Sequence, residues 1–217
     1  MTNNYISEIR NIAVHEIVKC SLANGPGRRL VIWVQGCNFA VKCKGCFNES
    51  THDLLGGNLM HVDQIVNLIA QAIRMYDIEG VTISGGEPLH QAVPVAFLTQ
   101  AIKEKFRELS IVLLTGYSAP QLDKLRGNAQ PAFISQAINL VYKSVDVIIA
   151  GRYDETKSVA NHYIGSSNKA LLLLSDRYTE VDFQSVPTTE VQVDKSGAVT
   201  ITGIHPGQFQ ELLDILT

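Results

Sequence analysis

Three of the four cysteines fall within ten residues, at positions 37, 43 and 46, directly after an apolar run over residues 30–35. Few features constrain a fold more, because one short loop at a strand's end must present three thiols to a common point. Three thiolates hold an iron–sulfur cube by three of its four irons, whereas a saturated electron-transfer cluster takes a fourth cysteine. The remaining one, Cys20, lies well upstream and reads as a small buried hydrophobe. The pattern suits a 4Fe–4S cluster with one iron left open to a ligand. Zinc is the competing occupant. Cys-x2-Cys is a common half of a tetrahedral zinc site, and its completion would call on Cys37 with Cys20 or His52.

The 217 residues suffice for a sizeable core. A hydrophobic fraction of 46% with 18% charged residues is that of an ordinary globular chain. Eighteen basic against 21 acidic residues leave a net charge of −3, which argues against a nucleic-acid partner, since that calls for a basic excess. No apolar run approaches the roughly 20 residues that cross a bilayer, so no membrane partner is expected. The first ten residues lack a charged flank followed by an apolar stretch. A cytoplasmic location follows as the expectation, and in a reducing compartment clustered cysteines read as metal ligands rather than disulfides.

Apolar runs over 30–35, 81–84, 111–115 and 145–149 predict strands. Val62, Ile65, Ile69, Ile73 and Tyr76 predict a helix over 61–76, and Leu98, Ile102, Phe106 and Leu109 one over 94–108. One or two helices fill 119–142, with a break near Gly127 and Pro131. Strands alternating with helices imply right-handed crossovers and a mainly parallel sheet. The expected fold is α/β, a partial, incomplete TIM-type barrel over residues 1–174. Residues 170–174 read as a further buried strand, and 190–202 as a hairpin around a turn at 194–197. Pro206, then Phe209, Leu212, Leu213 and Leu216, predict a terminal helix. Residues 175–217 are thus expected to form an antiparallel hairpin and helix appendage.

Cys37, Gly85, Thr115 and Gly151 each fall just past an apolar run. Ligands of parallel α/β folds bind at that edge, so four motifs converge on one rim. Within Gly85-Gly86-Glu87-Pro88 the missing Cβ atoms let the backbone approach a ligand closely. Glu87 offers a carboxylate to an ammonium group. Beside an open iron, this suggests an amino acid-like ligand that chelates the metal. A plain strand-to-helix turn is the alternative.

The chain resembles the radical S-adenosylmethionine (SAM) superfamily. Within it, the resemblance is to the activating proteins of glycyl-radical enzymes, above all those of anaerobic ribonucleotide reductase. Residues 24–28, 33–37, 43–48, 84–88, 114–117, 146–153 and 165–168 carry it, in the family's order. Two departures stand out. Five residues separate Cys37 from Cys43, two more than is usual in the family, which adds at most about 7 Å of chain. The chain also continues past the family's usual end.

The resemblance implies that Cys37, Cys43 and Cys46 ligate a 4Fe–4S cluster and that SAM chelates its open iron. Gly85, Gly86 and Glu87 would hold the amino group of SAM, with Gly45 and Phe47, flanking Cys46, against its adenosine. Thr115 and Asp146 are candidates for ribose or carboxylate contacts, Arg152 for a carboxylate, and residues 25–27 for the site entrance. His52 reads as an exposed polar side chain, and His90, close to Glu87, is a candidate to face the cavity, with a place outside it as the alternative. The implied activity is reductive cleavage of SAM to a 5′-deoxyadenosyl radical. That radical would take hydrogen from a large glycyl-radical enzyme, possibly anaerobic ribonucleotide reductase, with flavodoxin or ferredoxin as electron donor. No catalytic side chain is required, because the cofactor carries the chemistry. Modification of a small molecule or peptide is an alternative, and a non-enzymatic Fe–S or zinc module is another.

Overall fold

The structure, a computed structural model, describes residues 9–128, 131–159, 162–193, 196–197 and 199–204. Seven strands form one sheet in the order β3-β1-β2-β4-β5-β6-β7. They are β1 (Asn11–Ser21), β2 (Arg29–Val34), β3 (Asn58–His61), β4 (Gly80–Gly85), β5 (Ser110–Thr115), β6 (Val147–Ala150) and β7 (Ala170–Leu173). The four central strands β2, β4, β5 and β6 run parallel. β1 pairs antiparallel with β2, β3 with β1, and β7 with β6. The architecture is therefore mixed α/β with antiparallel strands at both margins. The α/β class and the mainly parallel centre are as the sequence reading expected, and the sheet is open, with β3 and β7 at its margins.

The parallel strands read as apolar runs because both of their faces are covered; every residue of β2 is buried. Leu30, Ile32, Val81, Ile83, Ile111, Leu113 and Ile148 face the helices Val62–Tyr76, Ala92–Lys105 and Ala132–Ser144 in one large core. The first helix buries Val62, Ile65, Val66, Ile69 and Ala72 at helical spacing and starts with a capping box between His61 and Gln64. Alternate residues Val112, Val147 and Ile149 point to the other face, where Tyr163, Phe183, Val186 and Ile204 cover them. Most of that cover is the chain after β7, through the helix Glu180–Gln184 and the hairpin β8 (Thr189–Val193) and β9 (Val199–Gly203).

Three elements differ from the sequence reading. β1 and β3 were not expected, because His15, Glu16 and Lys19 interrupt the apolar alternation of β1, and two register shifts break its pairing with β2. β7 is a sheet margin with partly exposed residues rather than a buried strand. The expected terminal helix over 206–217 lies outside the described residues, as do residues 194 and 195 of the hairpin turn.

The amino-terminal edge of the parallel strands is a closed polar network. Arg29 is fully buried. Its guanidinium donates to Thr82 Oγ1, Pro26 O, Ser110 Oγ, Tyr178 OH, Val81 O and Ser110 O at 2.7–3.2 Å. Burial lowers its pKa, and the Tyr178 oxygen pushes it back up. Gly25 (φ 120°) and Gly27 (φ 74°) shape the turn around this side chain. A Cβ on Gly25 would lie 2.8 Å from Arg29 Cδ, and one on Gly27 would lie 2.8 Å from Glu79 Oε2. Residues 25–27 therefore belong to the edge opposite the cysteines and do not form a site entrance.

Candidate functional site

The carboxyl-terminal ends of β2, β4, β5 and β6 meet around one pocket. Its walls include Cys37, Cys43, Cys46, Phe47, Gly85, Gly86, Glu87, Leu114, Thr115, Ile149, Gly151 and Lys169. The convergence expected from the sequence is thus present in three dimensions. After β2 the chain turns through Gly36 (φ 93°). The Gly36 amide donates to Thr51 O at 2.8 Å, and Gln35 Nε2 donates to Asp53 O at 2.7 Å. These bonds fold the start and the end of the cysteine segment back on each other.

The three thiols line the same concavity, Cys37 buried and the other two half-buried. Burial pushes the Cys46 thiol upward, and the neighbouring thiols of Cys43 and Cys37 push it the same way. The lining offers three thiols, the soft donors by which a cube is held at three of its irons, and such a group fits this donor set. His52, read from the sequence as an exposed polar side chain, places Nε2 3.3 Å from Cys46 Sγ and joins the wall.

The glycines serve a purpose beyond exposing backbone. The Gly86 amide donates to Val34 O at 2.8 Å and the Glu87 amide to Gly36 O at 2.9 Å. A Cβ on Gly85 would lie 2.5 Å from Val34 N, and one on Gly86 2.7 Å from Gly36 C. The two strand ends cross too closely for any side chain there.

Glu87 differs from its expected role. Its side chain is fully buried, and its carboxylate accepts from Leu89 N (2.9 Å), Thr115 Oγ1 (2.8 Å) and Gly116 N (2.6 Å). It ties β4 to β5 with oxygens already engaged by the protein. Desolvation raises its pKa to about 7 against those three hydrogen bonds. Thr115 lines the pocket, but its hydroxyl proton is committed to Glu87.

Two other expectations are not met. Gly45 (φ 66°) is not among the lining residues; a Cβ there would meet Glu155 and Tyr153, and it is Tyr153 that lines the pocket. Asp146 lies at the opposite edge, because β6 starts at Val147 and a residue before a parallel strand sits at its amino end. There its carboxylate receives Lys103 Nζ and Ile111 N at 2.7 Å each, Ser175 Oγ at 2.8 Å, and Arg177 Nε at 3.5 Å. Asp146 is thus a structural carboxylate remote from the cysteines.

The sequence reading missed Lys169, which enters the pocket wall from the start of β7 with Nζ 6.0 Å from the Tyr153 ring centroid. Burial lowers its pKa, and the thiols of Cys43 and Cys46 raise it. Its only sequence signal is its position directly before an apolar run. His90 does not line the cavity; its Nδ1 accepts from Asn38 N at 2.9 Å.

Among the described residues no helix is long and apolar enough to cross a membrane. Residues 23–172 match the family described as a 4Fe-4S single cluster domain, which defines the class of the site: an iron–sulfur centre holding one cube. The chain is 32% identical over 157 residues to the anaerobic ribonucleoside-triphosphate reductase-activating protein of Enterobacteria phage T4, covering 71% of this chain and 90% of the relative. The protein of that name from Vibrio cholerae is 30% identical over 162 residues, 72% of this chain and 95% of the relative. The Escherichia coli K12 protein is 29% identical over 163 residues, 72% and 96% of the two chains. The chain belongs to the anaerobic ribonucleoside-triphosphate reductase-activating protein family. The 4Fe-4S domain match stops at residue 172, before the C-terminal hairpin.

Proposed function

We propose that this protein is a radical SAM activase, working on an anaerobic ribonucleoside-triphosphate reductase, and that its open sheet corresponds to a partial barrel. The observation that carries this reading is the shared pocket, in which three thiols face the glycine-lined ends of β2 and β4. Cys37, Cys43 and Cys46 hold three irons of the 4Fe–4S cluster. A reduced cluster held there would supply the electron for cleavage of SAM to methionine and a 5′-deoxyadenosyl radical, and hydrogen would then pass from a glycine Cα of the partner to give 5′-deoxyadenosine.

The protein's own part is to bind, orient and exclude water. Main-chain groups of Gly85, Gly86 and Glu87 receive the amino group of SAM. The Glu87 carboxylate acts one step removed, by holding the ends of β4 and β5 together. Phe47, its ring centroid 4.6 Å from that of Tyr153, provides an apolar wall for the adenosine, backed by Leu114 and Ile149. The Lys169 ammonium suits the carboxylate of SAM.

The test is anaerobic reconstitution with iron and sulfide, followed by assay of 5′-deoxyadenosine with and without the reductase. A glycyl-radical EPR signal on the reductase is the expected result; absence of deoxyadenosine under reducing conditions refutes the reading. A second reading is modification of a small molecule or peptide, favoured by the hairpin that extends beyond the 4Fe-4S domain match. It predicts SAM consumption without the reductase and a modified product.

A further inference from the structure

Five residues separate Cys37 from Cys43, in a segment outside regular secondary structure. It is gripped from three sides. Phe39 turns its ring inward against His90 (centroids 4.9 Å apart, 59°) and Tyr117 (5.1 Å, 63°), while the Arg152 guanidinium stands 5.0 Å from the same ring centroid. His90 and Tyr117 also meet edge to face at 5.9 Å. These three residues follow β4, β5 and β6 respectively, so the ring is seated among three strand ends.

The backbone on either side of Phe39 is held by two of the same residues. Asn38 N donates to His90 Nδ1 at 2.9 Å, and Arg152 Nη2 donates to Val41 O. The floor is Gly116, where a Cβ would lie 2.7 Å from Phe39 Cε2. A side chain at 116 would therefore expel the ring. Offset and edge-to-face aromatic contacts and a cation over a ring are each weak, but together they order a single residue.

We propose that Phe39 is the positioning residue of this loop: its ring, boxed by His90, Tyr117 and Arg152, holds Cys37 and Cys43 in their ligand-ready arrangement before a cluster is bound. Phe39 also lines the pocket beside the thiols; the role assigned to it here is exerted through the two cysteines that flank it. The inference rests on the cluster reading for its purpose. Its primary test uses the cluster-free protein, so it stands or falls separately from SAM cleavage.

In cluster-free full-length protein, Phe39→Ala should speed hydrogen exchange of the amides at 38–46 at least about tenfold, because two aromatic contacts and one cationic contact disappear together. Exchange in β2, β4 and β5 should stay unchanged. After reconstitution, the variant should lose iron to a chelator faster and show a broadened EPR signal from the reduced cluster. Phe39→Tyr, which keeps the ring, should restore both. Gly116→Ala, which displaces the ring from beneath, should reproduce the exchange effect should Phe39→Ala fail to fold. Unchanged loop exchange and iron retention in the folded variants overturns the proposal. So does a rise in exchange spread over the whole sheet, which would make Phe39 an ordinary core residue.

Discussion

The two ends of the parallel strands each bury a carboxylate and surround it differently. At the amino end, Asp146 meets two cations, a hydroxyl and an amide, and neighbouring Arg29 spends its donors on six oxygens. At the carboxyl end, Glu87 meets only neutral donors, and its pKa rises to about 7. The first end is closed, with its polar groups spent on holding strands together. The second is held just firmly enough to keep a concavity open, and its thiols and Lys169 face that concavity. Buried polarity alone therefore does not mark function; the edge on which it lies and the groups left facing open space do.

Substitutions separate the two edges. At the carboxyl edge, Cys37→Ala, Cys43→Ala or Cys46→Ala should each abolish deoxyadenosine formation and bound iron while leaving thermal unfolding of the cluster-free protein nearly unchanged. Cys20→Ala should spare all three. At the amino edge the effect is on stability. Arg29→Met strands six buried oxygens and should cost about 3–5 kcal/mol, read as a lowered urea midpoint. The folded fraction should still assemble its cluster, and failure to do so would couple the edges.

Glu87 gives a pH dependence whose sign follows from its raised pKa. The folded protein binds this proton more tightly than the unfolded chain, whose value is the ordinary 4.5. The stability it contributes is present below pH 4.5 and lost as pH rises through about 7. The whole change is up to about 3 kcal/mol. Glu87→Gln should flatten the stability profile between these limits, measured by urea unfolding at successive pH values. The smallest effect is expected for Asp146→Asn, which leaves Lys103 and Arg177 without their anion and should cost about 2 kcal/mol. SAM cleavage should be unaffected, and a parallel loss of cleavage would return Asp146 to the site.

Much of this was readable in advance, for identifiable reasons. Parallel strands covered on both faces leave unbroken apolar runs, so β2, β4 and β5 and the motifs that follow them stood out. The thiols of Cys37, Cys43 and Cys46 are neighbours along the chain, and short loops keep them so. β1 escaped notice because its partly exposed residues include charges. Asp146 was misplaced although it precedes the apolar run, which in a parallel strand already puts it at the amino end, the edge away from the thiols. Gly85 and Gly86 suggested access for a ligand, whereas the crossing of β2 and β4 at Val34–Gly36 already demands them. Phe39, His90, Tyr117 and Arg152 carry no shared local signal, since they come together only through three different strand ends.

Chain-local chemistry was settled by the order of residues: a thiol tripod on a loop after an apolar strand, a glycine strap after the next, and alternating strands and helices to hold them. Long-range assignments were made by folding: which carboxylate lies at the pocket, which edge Arg29 closes, and which side chains pack against the loop between Cys37 and Cys43. Periodicity and spacing are properties of neighbours along the chain. Burial and partnership are set by strand pairing, which joins residues the chain keeps far apart.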